Sequence, residues 1–171
     1  MADAIRIVPA NERDIPLILA FICELAEYER LLHQVTATED QLRRTLFGPR
    51  STAEIVIAYD GEEPAGFALF FQSYSTFLGK PGLYLEDLFV RPSARGKGIG
   101  RRLLIYLAGL AVERNYGRLE WRVLDWNETA IRFYRSIGAE PLDEWTEFRV
   151  TGDALRALAA GSRQPGAGGQ Q

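Results

Sequence analysis

The chain has 171 residues, 47% of them hydrophobic, and its 20 Lys and Arg face 23 Asp and Glu, for a net charge of −3 at pH 7. This predicts one compact domain with a sizeable core and gives no sign of a nucleic-acid partner. One cysteine and one histidine exclude an intramolecular disulfide and a zinc site of several Cys and His ligands. Without a membrane-length apolar run or a signal-peptide pattern, we expect a cytoplasmic protein and no membrane partner.

The first part of the chain has the patterns of one strand and two helices. A brief alternation over residues 4–8 predicts the strand. Asp14 is a favourable N-cap, and the apolar spacing after it predicts a helix to about Leu31. Thr38 and Gln41 have the spacing of a capping box and predict the start of a second helix.

The middle of the chain predicts a hairpin, a strand and a long helix. The hairpin covers residues 54–71, where two β-rich runs flank the turn dipeptide Asp60-Gly61. The apolar run LYLEDLFV, residues 83–90, predicts the next strand. The long helix is predicted over residues 98–117, because leucines recur there at helical spacing.

The last part of the chain continues in strand–helix order. Asn127 is a favourable cap for a helix that Gly138 stops. Residues 161–171 are low in complexity and predict a flexible end after a domain over residues 1–160. Further strands are predicted over residues 118–126 and 147–150, and a short helix over residues 153–160. The order indicates a mixed α/β (α+β) fold with an antiparallel front half.

Residues 94–100, ARGKGIG, place three glycines and two cations between the strand LYLEDLFV and the long helix. Such a loop brings backbone N–H groups and the positive end of a helix to one point, which suits a pyrophosphate. The letters do not fit a dinucleotide fingerprint, which needs Gly or Ala where Arg101 stands, or a P-loop, which needs Ser or Thr at Gly98. A solvated basic turn would explain the charges alone. We therefore favour a phosphate cradle.

Two stretches carry a family resemblance. Arg95-x-x-Gly98-x-Gly100 after a strand resembles the acyl-CoA pyrophosphate loop of the GNAT superfamily of N-acetyltransferases, and DWNETAIRFYRSIGA resembles that superfamily's second conserved segment. LAEYERL, YSTFLGKPGLYLED and VLDWN resemble its diamine acetyltransferase branch, closest to the members that acetylate thialysine. The resemblance implies a single domain with a mixed, mainly antiparallel central sheet flanked by helices. It further implies acetyl-CoA as acetyl donor, no metal, a small-molecule amine acceptor and a homodimer.

The resemblance also implies contacts to the donor. Leu88, Phe89 and Val90 would supply backbone groups to the pantetheine arm and the thioester, and a bulge in this stretch would free an N–H for the thioester oxygen. Asn127 would cap its helix and contact the cofactor. Tyr134 would contact the cofactor and protonate the departing CoA thiolate. The implied pyrophosphate loop consists of Arg95, Gly96, Lys97, Gly98, Ile99, Gly100 and Arg101.

On the acceptor side, the resemblance makes Glu86 the candidate base. Glu86 and Asp87 would be costly to bury without partners, and a regular strand would point them to opposite faces, so that only one would meet the amine. Ser75 stands where polyamine-acetylating relatives have an acidic residue, which favours a lysine-like acceptor over spermidine. The implied acceptor pocket consists of Tyr28, Glu29, Glu86, Trp121 and Glu144. A protein lysine or N-terminal acetyltransferase and a non-catalytic acetyl-CoA-binding module remain as alternatives.

Overall fold

The computed structural model of the protein describes residues 5–161, and the chain divides into two compact units after Arg122. The first unit contains β1 (Ile5–Pro9), α1 (Ile15–Tyr28), α2 (Glu39–Leu46), β2 (Glu54–Asp60), β3 (Glu63–Ser75), β4 (Lys80–Val90), α3 (Ile99–Glu113) and β5 (Leu119–Trp121). The second contains α4 (Glu128–Ser136) and α5 (Gly152–Ala159). The predicted tail, apart from Gly161, lies outside the described residues. Within them, no helix is both long and apolar enough to cross a membrane.

The strands form one sheet in the order β1-β2-β3-β4-β5. Neighbours from β1 to β4 are antiparallel, whereas β5 lies parallel to β4 because α3 carries the chain back along the sheet. This confirms the predicted fold: a mixed, mainly antiparallel sheet flanked by helices.

The two faces of the sheet have separate apolar cores. On one face, α1 and α2 pack on β2, β3 and β4, with the rings of Phe21 and Phe67 stacked at a centroid distance of 5.3 Å. Residues of opposite parity, among them Val56 and Phe70, are buried on the other face. The buried side of α3 covers that face through Leu103 and Leu107. A strand residue's face therefore decides which helices its side chain meets.

Several predicted boundaries need correction. The side chain of Asp14 makes no cap for α1; it accepts a hydrogen bond from the N–H of Asn11 in a short turn that precedes the helix. The helix ends at Tyr28, and Arg30 follows with φ of +62°, which is not helical. In the hairpin, Asp60 still pairs in the sheet, so the turn is Gly61-Glu62. The predicted caps at Thr38 and Asn127 are confirmed.

Two predicted strands differ more strongly. The strand predicted over residues 118–126 is reduced to Leu119–Trp121, where it pairs with β4. The strand predicted over residues 147–150 does not form, and Phe148 is 90% exposed there. A strand exists only through the hydrogen bonds of a neighbour, and within the described residues the sheet contains no strand from this segment. The high β-propensity of residues 147–150 is therefore not sufficient to form a strand.

Candidate active site

The glycine loop joins the end of β4 to the start of α3. Gly96 and Gly98 have φ of +80° and +77°, a backbone conformation that favours glycine, and nothing lies within 4 Å of a Cβ built on either residue. Gly98 is the N-cap of α3 and offers no side chain to bond the N–H groups of the first helical turn. Open backbone N–H groups at the start of a helix suit an anionic ligand.

The cations of this loop are largely engaged elsewhere in the protein. Lys97 Nζ lies 2.5 Å from Asp60 Oδ2, at the end of β2. Arg95 donates from Nε to the carbonyl oxygen of Val90 at 3.0 Å, and its guanidinium lies 4.6 Å from the ring centre of Tyr28. Arg101 is exposed in the first turn of α3. The backbone N–H groups of the loop are therefore more available to a ligand than the side chains of Lys97 and Arg95.

Arg91 fixes the point where β4 leaves the sheet. Its Nε and one terminal nitrogen donate to the two oxygens of Glu24 on α1, at 2.9 and 2.6 Å, and the other terminal nitrogen donates to the carbonyl of Pro64 at 2.9 Å. The guanidinium also lies 4.6 Å from the ring centre of Phe21. Since a bidentate arginine–carboxylate pair is strong and directional, this contact holds the loop in register with α1.

A β-bulge shapes β4 at the two adjacent carboxylates. Leu85 is opposite Phe70 and Asp87 is opposite Leu69, so Glu86 is the extra residue on its strand. The family resemblance implied a bulge in residues 88–90, and the observed bulge lies two residues before that stretch. It also overturns the expectation that Glu86 and Asp87 point to opposite faces. An extra residue breaks the alternation, so that both carboxylates lie on the face that α1 covers.

The neighbours of these two carboxylates confirm their common face. Arg122 lies 3.4 Å from Glu86 and 5.9 Å from the ring centre of Tyr84, whose side chain packs on Phe71 on the α1 face. Asp87 pairs with Leu69, which packs against the α1 core cluster. Beyond Leu85 and Trp121, the described residues of β4 and β5 no longer pair. Glu86 therefore lies at the mouth of an opening between the two strands.

Asp87 is the most perturbed carboxyl of the site. Burial, aided by the charges of Glu86 and Glu29, raises the pKa of Asp87 from 3.8 to about 6. The positive charge of Arg122 opposes this rise. Burial also raises the pKa of Glu29, at the C-terminal end of α1. The first unit thus gathers three carboxylates and one guanidinium; Arg122 was not predicted, and Asp87 was predicted only as the neighbour of Glu86. The adjacent Glu86-Asp87 pair was the available signal.

Other predicted acceptor residues are not brought to this cluster. Trp121 pairs with Leu85, whose side chain is on the α3 face, so Trp121 points to the opposite side of the sheet. Ser75 is buried and accepts a hydrogen bond from the N–H of Leu78 in the turn after β3. It pairs with Lys80, six residues before Glu86, which is about 20 Å along the strand. Ser75 therefore cannot contact this cluster in its own chain.

The second unit contains the remaining predicted residues. Asn127 Oδ1 accepts a hydrogen bond from the N–H of Ala130 and caps α4, which accounts for an asparagine at this position. Tyr134 is half-buried on α4, with its ring centre 5.6 Å from that of Phe133. Glu144 is exposed and lies outside regular secondary structure. Within residues 5–161, no three His, Cys, Asp or Glu side chains are grouped so as to hold a metal ion.

Comparison with known proteins identifies the family of this chain. Residues 20–139 match the Acetyltransferase (GNAT) family, and the chain belongs to that family. It is an acetyl-CoA-dependent N-acetyltransferase. It is 40% identical to the thialysine N-epsilon-acetyltransferase of Bos taurus, over 88% of this chain and 94% of that protein. It is 35% identical to the L-ornithine N5-acetyltransferase of Arabidopsis thaliana, over 90% of this chain and 87% of that protein. The structure of an integron cassette protein from the mobile metagenome of V. cholerae superimposes with a TM-score of 0.77 at 32% identity, over 92% of this chain and 99% of that protein.

Proposed function

We propose that this enzyme transfers an acetyl group to the terminal amine of a small cationic acceptor, such as thialysine, ornithine or lysine. The cluster of Glu29, Glu86 and Asp87 beside the opening of β4 is the observation that carries the proposal. Three neighbouring carboxylates attract a cationic amine and hold it by charge. The names of the relatives, which act on thialysine and ornithine, support the same class of acceptor.

The acceptor must lose a proton before it can react. A lysine-like amine has a pKa of about 10.4, so near pH 7 roughly one molecule in a few thousand is neutral. We assign Glu86, at the mouth of the opening, as the base that takes this proton, directly or through a water. Asp87 lies beside it, and its pKa of about 6 suits a group that receives a proton near neutral pH.

The donor side follows from the loop and from the end of β4. Acetyl-CoA supplies the acetyl group as a thioester. The N–H groups of residues 96–101 would hold its pyrophosphate, with Arg95, Lys97 and Arg101 adding positive charge nearby. The backbone of residues 88–90 would bind the pantetheine arm, because β5 has left that edge of β4 open. Tyr134 would give a proton to the departing sulfur, and Asn127 would contact the donor.

The assembly and the location also remain proposals. A homodimer is supported by the exposed apolar side chains of residues 142–150, among them Trp145 at 75% and Phe148 at 90% exposure. Native mass spectrometry tests the dimer directly. A cytoplasmic location is supported by the low cysteine content of the sequence. Glu144, in the same exposed segment, is retained as a proposed acceptor contact.

The decisive experiment measures amine-dependent release of free CoA from acetyl-CoA. Ornithine, lysine and thialysine are compared with spermidine, putrescine and lysine-containing peptides in one assay, by kcat/KM. We expect turnover with the small amines to exceed that with the peptides. A preference for peptides would make the protein a protein acetyltransferase, and release with none of them would leave an acetyl-CoA-binding module.

A further inference from the structure

Arg122 places a positive charge beside the carboxylates of Glu86 and Asp87. Its guanidinium lies 3.4 Å from Glu86 and lowers the pKa of Asp87, so it lies within electrostatic reach of both carboxylates. The pocket's charge pattern is therefore mixed, with three carboxylates and one guanidinium. A site built only to attract a polyamine gains nothing from that guanidinium, because it repels every further ammonium group of the acceptor.

The register of the sheet explains why Arg122 occupies this place. β5 pairs with β4 up to Trp121 opposite Leu85, and Arg122 is the next residue, beside the bulged Glu86. Strand alternation turns its side chain to the face opposite that of Trp121, and its guanidinium lies 5.9 Å from the ring centre of Tyr84. Its side chain is 43% exposed, so solvent reaches the same opening.

We propose that Arg122 binds the carboxylate of the acceptor, and that it thereby makes the site selective for amino acids with a terminal amine over diamines and polyamines. The inference rests on the proposed function and names its specificity-determining residue. A guanidinium has five N–H donors, more than one carboxylate can use, so it can hold Glu86 and the acceptor's carboxylate together. In this proposal Arg122, rather than Ser75, accounts for the preference for a lysine-like acceptor over spermidine.

Two pairs of acceptors isolate the carboxylate. Ornithine and putrescine differ only by the carboxylate that ornithine carries, and lysine and cadaverine differ in the same way. For each pair the ratio of kcat/KM is measured in wild type and in Arg122→Gln, with purified full-length protein and saturating acetyl-CoA. We expect wild type to prefer the amino acid of each pair. In Arg122→Gln this ratio should fall by roughly 10- to 100-fold, through a higher KM for the amino acid.

Two further variants separate this role from a merely structural one. Arg122→Lys keeps the charge and loses the planar fork, so the ratio should fall by less. It also serves if Arg122→Gln does not fold. Arg118→Gln is the matched control, because Arg118 adjoins β5 and pairs with Glu120 at 2.7 Å, yet it does not belong to the cluster. Its ratio should stay at the wild-type value.

The outcomes are distinct. An unchanged ratio in both Arg122 variants would overturn the proposal, and so would an equal loss with the amino acid and with its diamine, which would make Arg122 a positioning residue for Glu86. A wild-type preference for the diamines would also refute it. Failure of wild type to acetylate any amine would instead overturn the proposed function, so the two failures can be told apart.

Discussion

Replacing Asp87 with Asn should make the protein more stable near neutral pH and less active. The folded protein holds the pKa of Asp87 at about 6, against 3.8 for an ordinary aspartate. Because the pKa is raised on folding, the folded state binds more protons than the unfolded state between those two values. The contribution of Asp87 to stability is thus highest below about pH 4 and is lost as the pH rises through about 6.

The size of the effect follows from the same two values. The gap between 3.8 and about 6, at 1.36 kcal/mol for each pKa unit, gives an upper limit of about 3 kcal/mol. Asparagine has nearly the same shape and no charge, so it avoids this cost. Relative to wild type, Asp87→Asn should therefore gain up to about 3 kcal/mol of unfolding free energy between pH 4 and pH 7.

Urea unfolding of both proteins across this pH range is the measurement. Two neighbouring variants test whether the charges named above cause the effect. Glu86→Gln removes a negative charge that raises the pKa of Asp87, so the midpoint of the stability loss should move to lower pH; Arg122→Gln should move it higher. Parallel stability curves for wild type and Asp87→Asn would refute the reasoning.

Three shorter predictions concern the chemistry. Gly98→Asp should strongly weaken acetyl-CoA binding in calorimetry, because it adds a side chain and a negative charge where the pyrophosphate would bind. The control is Gly79→Asp, at a turn glycine that also has positive φ and open space around it. This variant should strain the backbone to a similar extent and leave the affinity for acetyl-CoA unchanged. Tyr134→Phe should lower kcat by roughly 10²- to 10⁴-fold, with no recovery at high pH. Glu86→Gln should lose less activity as the pH rises and the amine deprotonates unaided; equal losses at pH 7 and 10 would contradict its role as a base.

Local signals were sufficient for most elements of the fold. Capping residues such as Thr38 and Asn127 act within one turn of their own helix, so sequence alone identifies them. The glycine loop was equally readable, since Gly96 and Gly98 take positive φ where the pattern demanded close approach. The segment 147–150 was not, because a strand depends on a neighbour that its own letters do not encode.

The acceptor cluster was only half predictable, and the bulge is the reason. Periodicity assigns Glu86 and Asp87 to opposite faces, and it cannot reveal an extra residue whose presence is known only from the partner strand. Arg122 was missed for a related reason. It faces Glu86 through the β4–β5 register, a relation between residues 36 positions apart.

The cost of Asp87 favours a chemical role for it over a structural one. A residue retained for packing alone would be apolar or neutral at this position, since its charge opposes folding at neutral pH. The bulge increases that cost, because it turns Glu86 to the same face, where the two carboxylates repel each other. When a cationic amine binds, its positive charge interacts favourably with Asp87 and Glu86. This interaction offsets the unfavourable free energy of the two negative charges. Adding the acceptor should therefore lower the pKa of Asp87 and stabilise the protein more at pH 7 than at pH 4, in wild type but much less in Asp87→Asn.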